Sequence, residues 1–206
     1  MPAVRLAVLT GLYVGVVCSA QVGANKIVEL PWQGLDAPGG TYLIGVSLAL
    51  VELAHLTAPT RRQGWINAEV MIAMGFVASG VLAAWIAIVN AMEPAFPGQH
   101  FGVLANTWRI VLASLGAFAV SETVDNTIGA WMRGRFPDAA RVIATNAVSA
   151  PLDSLVFLAA AFGSLSFIEG QIVAKLEATV VIGLPAVLIL RRFVRDGEAS
   201  MVPAPG

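Results

Sequence analysis

INAEVMIAMGFVASGVLAAWIAIVNA, residues 66–91, is the stretch on which the fold turns. Its one charged residue is Glu69, and from Leu82 to Val89 it is an unbroken apolar run. About 20 apolar residues in a helix cross the ~30 Å hydrocarbon core of a bilayer, so this run is long enough to span. A barrel strand would alternate apolar and polar positions in short segments, which this run does not do. A helix also satisfies its own backbone hydrogen bonds, as lipid requires.

Working outward, five further apolar runs follow the same reading, at residues 4–22, 42–56, 104–132, 142–162 and 172–190. The breaks between runs hold loop formers: Pro31, Gly34, Pro38, Gly39 and Gly40, then Pro59, then Pro94, Pro97 and Gly98, then Pro137, then Ser164 and Gly170. The expectation is an all-α polytopic membrane protein, six transmembrane helices in one bundle, with residues 1–196 as a single domain. Residues 197–206 are expected to be a disordered cytoplasmic tail.

Composition agrees. Of 206 residues, 57% are hydrophobic and 12% charged, with mean hydropathy +0.78, against roughly 25% charged in a soluble domain. Six crossings leave no loop able to house a nucleotide-binding domain, which excludes a pump carrying its own ATPase. The net charge of −1 gives no general attraction to nucleic acid. The lone cysteine, Cys18, has no partner for an intrachain disulfide and reads as packing.

The cations set an orientation. Arg5, Arg61, Arg62, Arg133, Arg135, Arg141, Arg191, Arg192 and Arg195 fall at one set of span ends, while Lys26 alone falls at the other. By the positive-inside rule both termini are cytoplasmic in the cell membrane and the loop around residues 31–40 faces out. Arg5 before an apolar run ending in Ser19 and Ala20 also fits a cleaved signal. Against that, Gly11, Gly15, Ser19 and Gly23 place a small residue at every fourth position, a stripe that lets helices approach closely. Bundle packing is its first reading, and docking of a second copy or of an energy-coupling subunit is the other.

Ionisable residues at bilayer depth cost roughly 2.5–3.5 kcal/mol each on insertion scales, so they normally face the bundle interior and mark function. In helix 5, Asn146, Ser149, Asp153 and Phe157 recur at intervals of three and four and share one face. Pro151 sits in the same helix, where it frees a backbone carbonyl. Helix 4 carries Arg109, Glu122 and Asp125, with Arg109 about 160° round the helix from Asp125 and so directed to another helix. Helix 6 carries Lys175, which with Arg109 is expected to close the outer part of a site. Glu52 and His55 in helix 2, and Glu69, lie near the cytoplasmic boundary and are expected to be solvated there. Ion pairs such as Asp153 or Asp125 with Lys175 or Arg109 would serve stability poorly once desolvation is counted; a polar solute gives them a purpose.

These residues resemble the putative vitamin uptake transporter family of six-helix membrane proteins, whose characterised members are queuosine precursor transporters taking up 7-deazaguanines such as 7-cyano-7-deazaguanine. The resemblance is carried by Ala24-Asn25-Lys26-Ile27-Val28 with Pro31; by Arg109, Ala113 and Asp125; by Ala144 through Asn146, Ser149, Asp153 and Phe157 to Ala161-Phe162; and by Lys175 with Pro185. It departs in Leu48 to Leu56, where Glu52 stands in for one acid and an earlier aspartate is missing.

The resemblance implies import of a purine-like base for tRNA modification. Asn25, Arg109, Asp125, Asn146, Asp153 and Lys175 are then the substrate-binding candidates, with Glu52 and Glu122 as coupling or secondary residues. A carboxylate suits the adjacent N–H donors of a guanine-like edge, and an amide or cation suits its carbonyl. Phe157, Phe118 and Trp108 are candidate stacking rings. The alternative is the substrate-binding S component of an energy-coupling-factor vitamin transporter. The two histidines, His55 and His100, form no metal-ligand cluster, and no Gly-x-Ser-x-Gly pattern occurs, so no enzyme, metal or cofactor is expected.

Overall fold

A computed structural model describes residues 2–30, 34–96, 107–185 and 188–189. The expected helix start at Leu104, the helix end at Leu190, Pro31, Pro97, Gly98, His100, the arginines at 191, 192 and 195, and the tail 197–206 lie outside the described residues. Within them the chain forms six helices: α1 Pro2–Gly23, α2 Thr41–Thr57, α3 Arg61–Asn90, α4 Thr107–Met132, α5 Asp138–Phe162 and α6 Ile168–Ala178. Three of these, α1, α3 and α5, are long and apolar enough to cross a membrane. The other three fall short for separate reasons. α2 has 17 residues, roughly 26 Å at 1.5 Å each; α4 carries Arg109, Glu122 and Asp125; α6 is interrupted.

Helix α2 is the axle of the bundle, with all five other helices packed against it. It is buried on nearly every face from Ser47 to His55, as expected of a helix that is apolar all round. Gly45 permits this crowding: a Cβ there would lie 2.6 Å from the Lys175 carbonyl oxygen and 2.7 Å from Ala178 Cβ on α6. Helix α3 lies at the periphery. Its buried residues Gly64, Ala68, Met71, Ile72, Gly75 and Ser79 form one narrow stripe, while Val77, Val81 and Trp85 face outward. Helices α4 and α5 pack along each other, and α5 runs through Pro151 without ending.

Three features depart from expectation. The first loop is no plain coil: Ile27–Glu29 and Asp36–Pro38 form a two-stranded antiparallel hairpin, β1 and β2, with Val28 opposite Ala37. The α6 N-terminus rests on it so closely that a Cβ at Gly170 would lie 2.2 Å from the Asp36 carbonyl oxygen. Second, the run expected as one helix over 172–190 changes to a π-helical turn at Thr179–Gly183, a feature that often marks functional positions. Third, Gly11, Gly15 and Ser19 face outward, with nothing within 4 Å of a Cβ at either glycine. Of the stripe only Gly23 packs inside, against Gly39 and Gly40.

Candidate functional site

Near the hairpin end of the bundle a cleft of about 310 Å³, counted to its open mouth, is shared by six elements. Ala20 of α1 and Ala24 just after it, Gly40, Thr41 and Ile44 at the start of α2, and Pro38 of β2 form one wall. Ser114, Ala117 and Phe118 of α4, Asp153 and Phe157 of α5, and Gln171 of α6 form the other. The closed floor has room for roughly one or two waters.

Asp153 is the only charged side chain on this lining, and 4% of it remains exposed. Its carboxylate is held from two helices. Ser121 Oγ donates to Oδ1 at 3.0 Å, and Lys175 Nζ donates to Oδ2 at 2.5 Å. Lys175 also donates to Ser154 Oγ at 2.9 Å and is wholly buried. Two phenyl rings, Phe118 and Phe157, share the lining with this carboxylate. Gln171 Oε1 is buried without a hydrogen-bond partner, and the Thr41 hydroxyl donates to the Pro38 carbonyl at 2.6 Å. The cleft thus offers acceptors together with aromatic side chains on one lining, the usual anatomy of a small-molecule site.

Below the cleft lies a second polar layer. Ser47 and Glu122 Oε1 are 3.1 Å apart, and Ser149 donates to Asp125 Oδ1 at 3.0 Å. Among the described residues Glu122 Oε2 and Asp125 Oδ2 have no hydrogen-bond partner. Asn146 donates to the Val142 carbonyl at 2.9 Å and accepts from the Thr179 hydroxyl at 3.1 Å, which ties α5 to the π turn. Towards the arginine-rich end, Arg141 of α5 forms a buried ion pair with Glu52 of α2, with His55 one turn further along. Glu52 and α4 meet closely, since a Cβ at Gly129 would lie 2.3 Å from Glu52 Oε1.

The candidates therefore separate. Asp153 and Lys175 meet at the cleft, and Asp125, Asn146 and Glu122 lie beneath it. Arg109 does not join them: it is exposed on the bundle's outer face, where Nε donates to the Ala160 carbonyl at 3.4 Å. Lys175 accordingly faces Asp153 in the interior and does not share an outer vestibule with Arg109. Asn25 donates to the carbonyls of Gln21 and Val22, closing the end of α1 one residue from Ala24 of the lining. Trp108 is 57% exposed and away from the cleft. Glu52 and His55 are not solvated at a boundary but fully buried, because α2 is central.

Arg141, expected among the surface arginines, is 1% exposed and points inward. Extending the α5 stripe back by one turn finds it, since Arg141, Thr145, Ser149 and Asp153 recur every fourth residue. Gln171 and Ser121 carry no comparable signal; only the packing of α6 and α4 on α5 brings them to Asp153.

Six helices around a buried polar interior define a multi-pass membrane protein. The chain belongs to the putative vitamin uptake transporter family, whose model matches residues 56–190. That match takes in α3 to α6 and the helix 4, 5 and 6 patterns, and leaves α1 and most of α2 outside it. No curated protein and no solved structure matches the chain. Family membership makes the protein a membrane transporter of a small-molecule substrate.

Proposed function

We propose that the protein imports a queuosine precursor, a 7-deazaguanine such as 7-cyano-7-deazaguanine, through the cleft centred on Asp153. The observation that carries this reading is a single carboxylate sharing the cleft lining with the rings of Phe118 and Phe157 and with Gln171 Oε1, which has no hydrogen-bond partner among the described residues. A flat bicyclic base has two faces for the rings and adjacent N–H donors for the carboxylate and the amide oxygen. Its carbonyl is suited to the Ser114 hydroxyl. Lys175 orients Asp153 through its hydrogen bond to Oδ2, while Asn146 and Asp125 support the layer beneath. Because the floor has space only for water, loading requires α4, α5 or the hairpin to move. The distribution of arginines supports a cytoplasmic location for both termini, with the cleft on the outside.

The test is uptake rescue in cells unable to synthesise queuosine precursors, with each deazaguanine supplied in turn and queuosine in tRNA as the readout. Rescue by 7-cyano-7-deazaguanine, lost when Asp153 is replaced at matched membrane abundance, is expected. Failure with every deazaguanine removes this substrate. Rescue that requires a separate ATPase-bearing partner moves the chain to the S-component reading.

A further inference from the structure

Four carboxyl groups are buried in the bundle, those of Glu52, Glu122, Asp125 and Asp153, and they share the interior with two buried cations, Arg141 and Lys175. The cations are both committed, Arg141 to Glu52 and Lys175 to Asp153. Among the described residues no cation lies within ion-pair distance of Glu122 or Asp125.

The hydrogen bonding of Glu122 narrows its state. Ser47 Oγ lies 2.8 Å from the Ile44 carbonyl oxygen and 3.1 Å from Glu122 Oε1, so its single hydroxyl hydrogen serves two acceptors. Glu122 Oε1 thus has a share in one neutral hydrogen bond, too little to hold a fully buried carboxylate charge. Ser121 stands in the same relation to Ala117 and Asp153, but Asp153 has the Lys175 ammonium beside it. Glu122 has no such donor, and its other oxygen is buried without a partner. The groups facing it are Tyr13 of α1, Ser47 of α2, Asp153 of α5, Lys175 of α6 and Asp125 on its own helix; Glu69 of α3 is taken up by Asn126 at 2.6 Å. Two of these neighbours are carboxyls, which repel a further negative charge.

We infer that Glu122 is the proton-binding site of this transporter, a carboxylic acid in the conformation seen here that releases its proton during the transport cycle. Its place supports the link to substrate. Ser121, the residue before it, holds the cleft carboxylate, so movement of α4 that admits substrate to Asp153 also displaces Glu122. Among the described residues no group of three or more His, Cys, Asp or Glu side chains gathers to hold a metal ion. This inference rests on the transport reading but not on the identity of the base.

Two measurements on the full-length protein in lipid vesicles test it. In infrared difference spectra at neutral pH, E122Q should remove a carboxylic-acid C=O band present in the wild type, and D125N should leave that band in place. Loss of a carboxylate band from E122Q, with all C=O intensity kept, overturns the inference. In the second measurement, labelled 7-cyano-7-deazaguanine is supplied with and without an inward proton gradient. The wild type should take it up severalfold faster with the gradient, and in E122Q that ratio should fall to unity. Wild-type uptake that ignores the gradient overturns the coupling role. Failure of the substrate assignment looks different: neither protein takes up the probe, while the infrared band still reports on Glu122.

Discussion

Lys175 Nζ on α6 lies 2.5 Å from Asp153 Oδ2 on α5, and the pair closes the floor of the cleft with both side chains out of water. A buried pair of this kind contributes little net stability, but removing one partner leaves an uncompensated charge that costs about 3–5 kcal/mol. K175M alone should therefore lower the thermal midpoint and membrane abundance. D153N/K175M should recover most of both, as both charges are gone. Transport should be absent from the double variant, because the carboxylate that receives substrate is missing. Thermal unfolding in detergent and uptake in vesicles measure the two effects separately; uptake by D153N/K175M would refute the role given to Asp153.

Gly40 and Gly11 make a matched pair for packing. A Cβ at Gly40 would fall 1.9 Å from the Ala20 carbonyl oxygen, whereas one at Gly11 meets nothing within 4 Å. G40A should destabilise the protein by at least about 1–3 kcal/mol, the usual cost of overpacking, and reduce folded protein in the membrane. G11A should leave thermal stability unchanged.

The rings on the cleft wall can be told from rings that face outward. Phe157 lines the cleft and is buried, while Trp108 is exposed on α4. F157L keeps an apolar side chain in place but removes the stacking face, so KM for the base should rise severalfold with little change in abundance. W108L should leave KM as it is. Initial rates over a range of base concentrations decide this.

Orientation is open to a labelling test in a background lacking Cys18. K26C is beside the hairpin, and R62C is near the start of α3 at the other end. A membrane-impermeant maleimide added to intact cells should label K26C and should reach R62C only after the membrane is opened. The reverse pattern would invert the assignment drawn from the arginines.

Much of this architecture is legible in the chain. The α2 run expected over 42–56 is observed at Thr41–Thr57, and the α5 run expected over 142–162 begins one turn earlier, at Asp138. The inward face of α5 is likewise readable, because Asn146, Ser149, Asp153 and Phe157 repeat with the helical period and all four are buried. Glu52 illustrates what is not readable. Its position near the end of a short helix implies contact with water, yet it is buried because five helices surround α2. Arg109 shows the opposite case: a cation inside an apolar run points outward, where a carbonyl of α5 receives its Nε hydrogen. Burial depends on which neighbours surround a helix, and a single helix holds no record of them.

Local composition thus determined the solvent, the number of helices and the face that α5 turns inward, since hydropathy and the 3.6-residue period act within each segment. Tertiary structure alone decided the partners: that Lys175 serves Asp153, that Arg141 serves Glu52, and that Glu122 has a serine and, among the described residues, no cation beside it. The reason is physical. The cost of a buried charge is set by the groups within a few ångströms of it, and here those groups come from helices far apart in the chain.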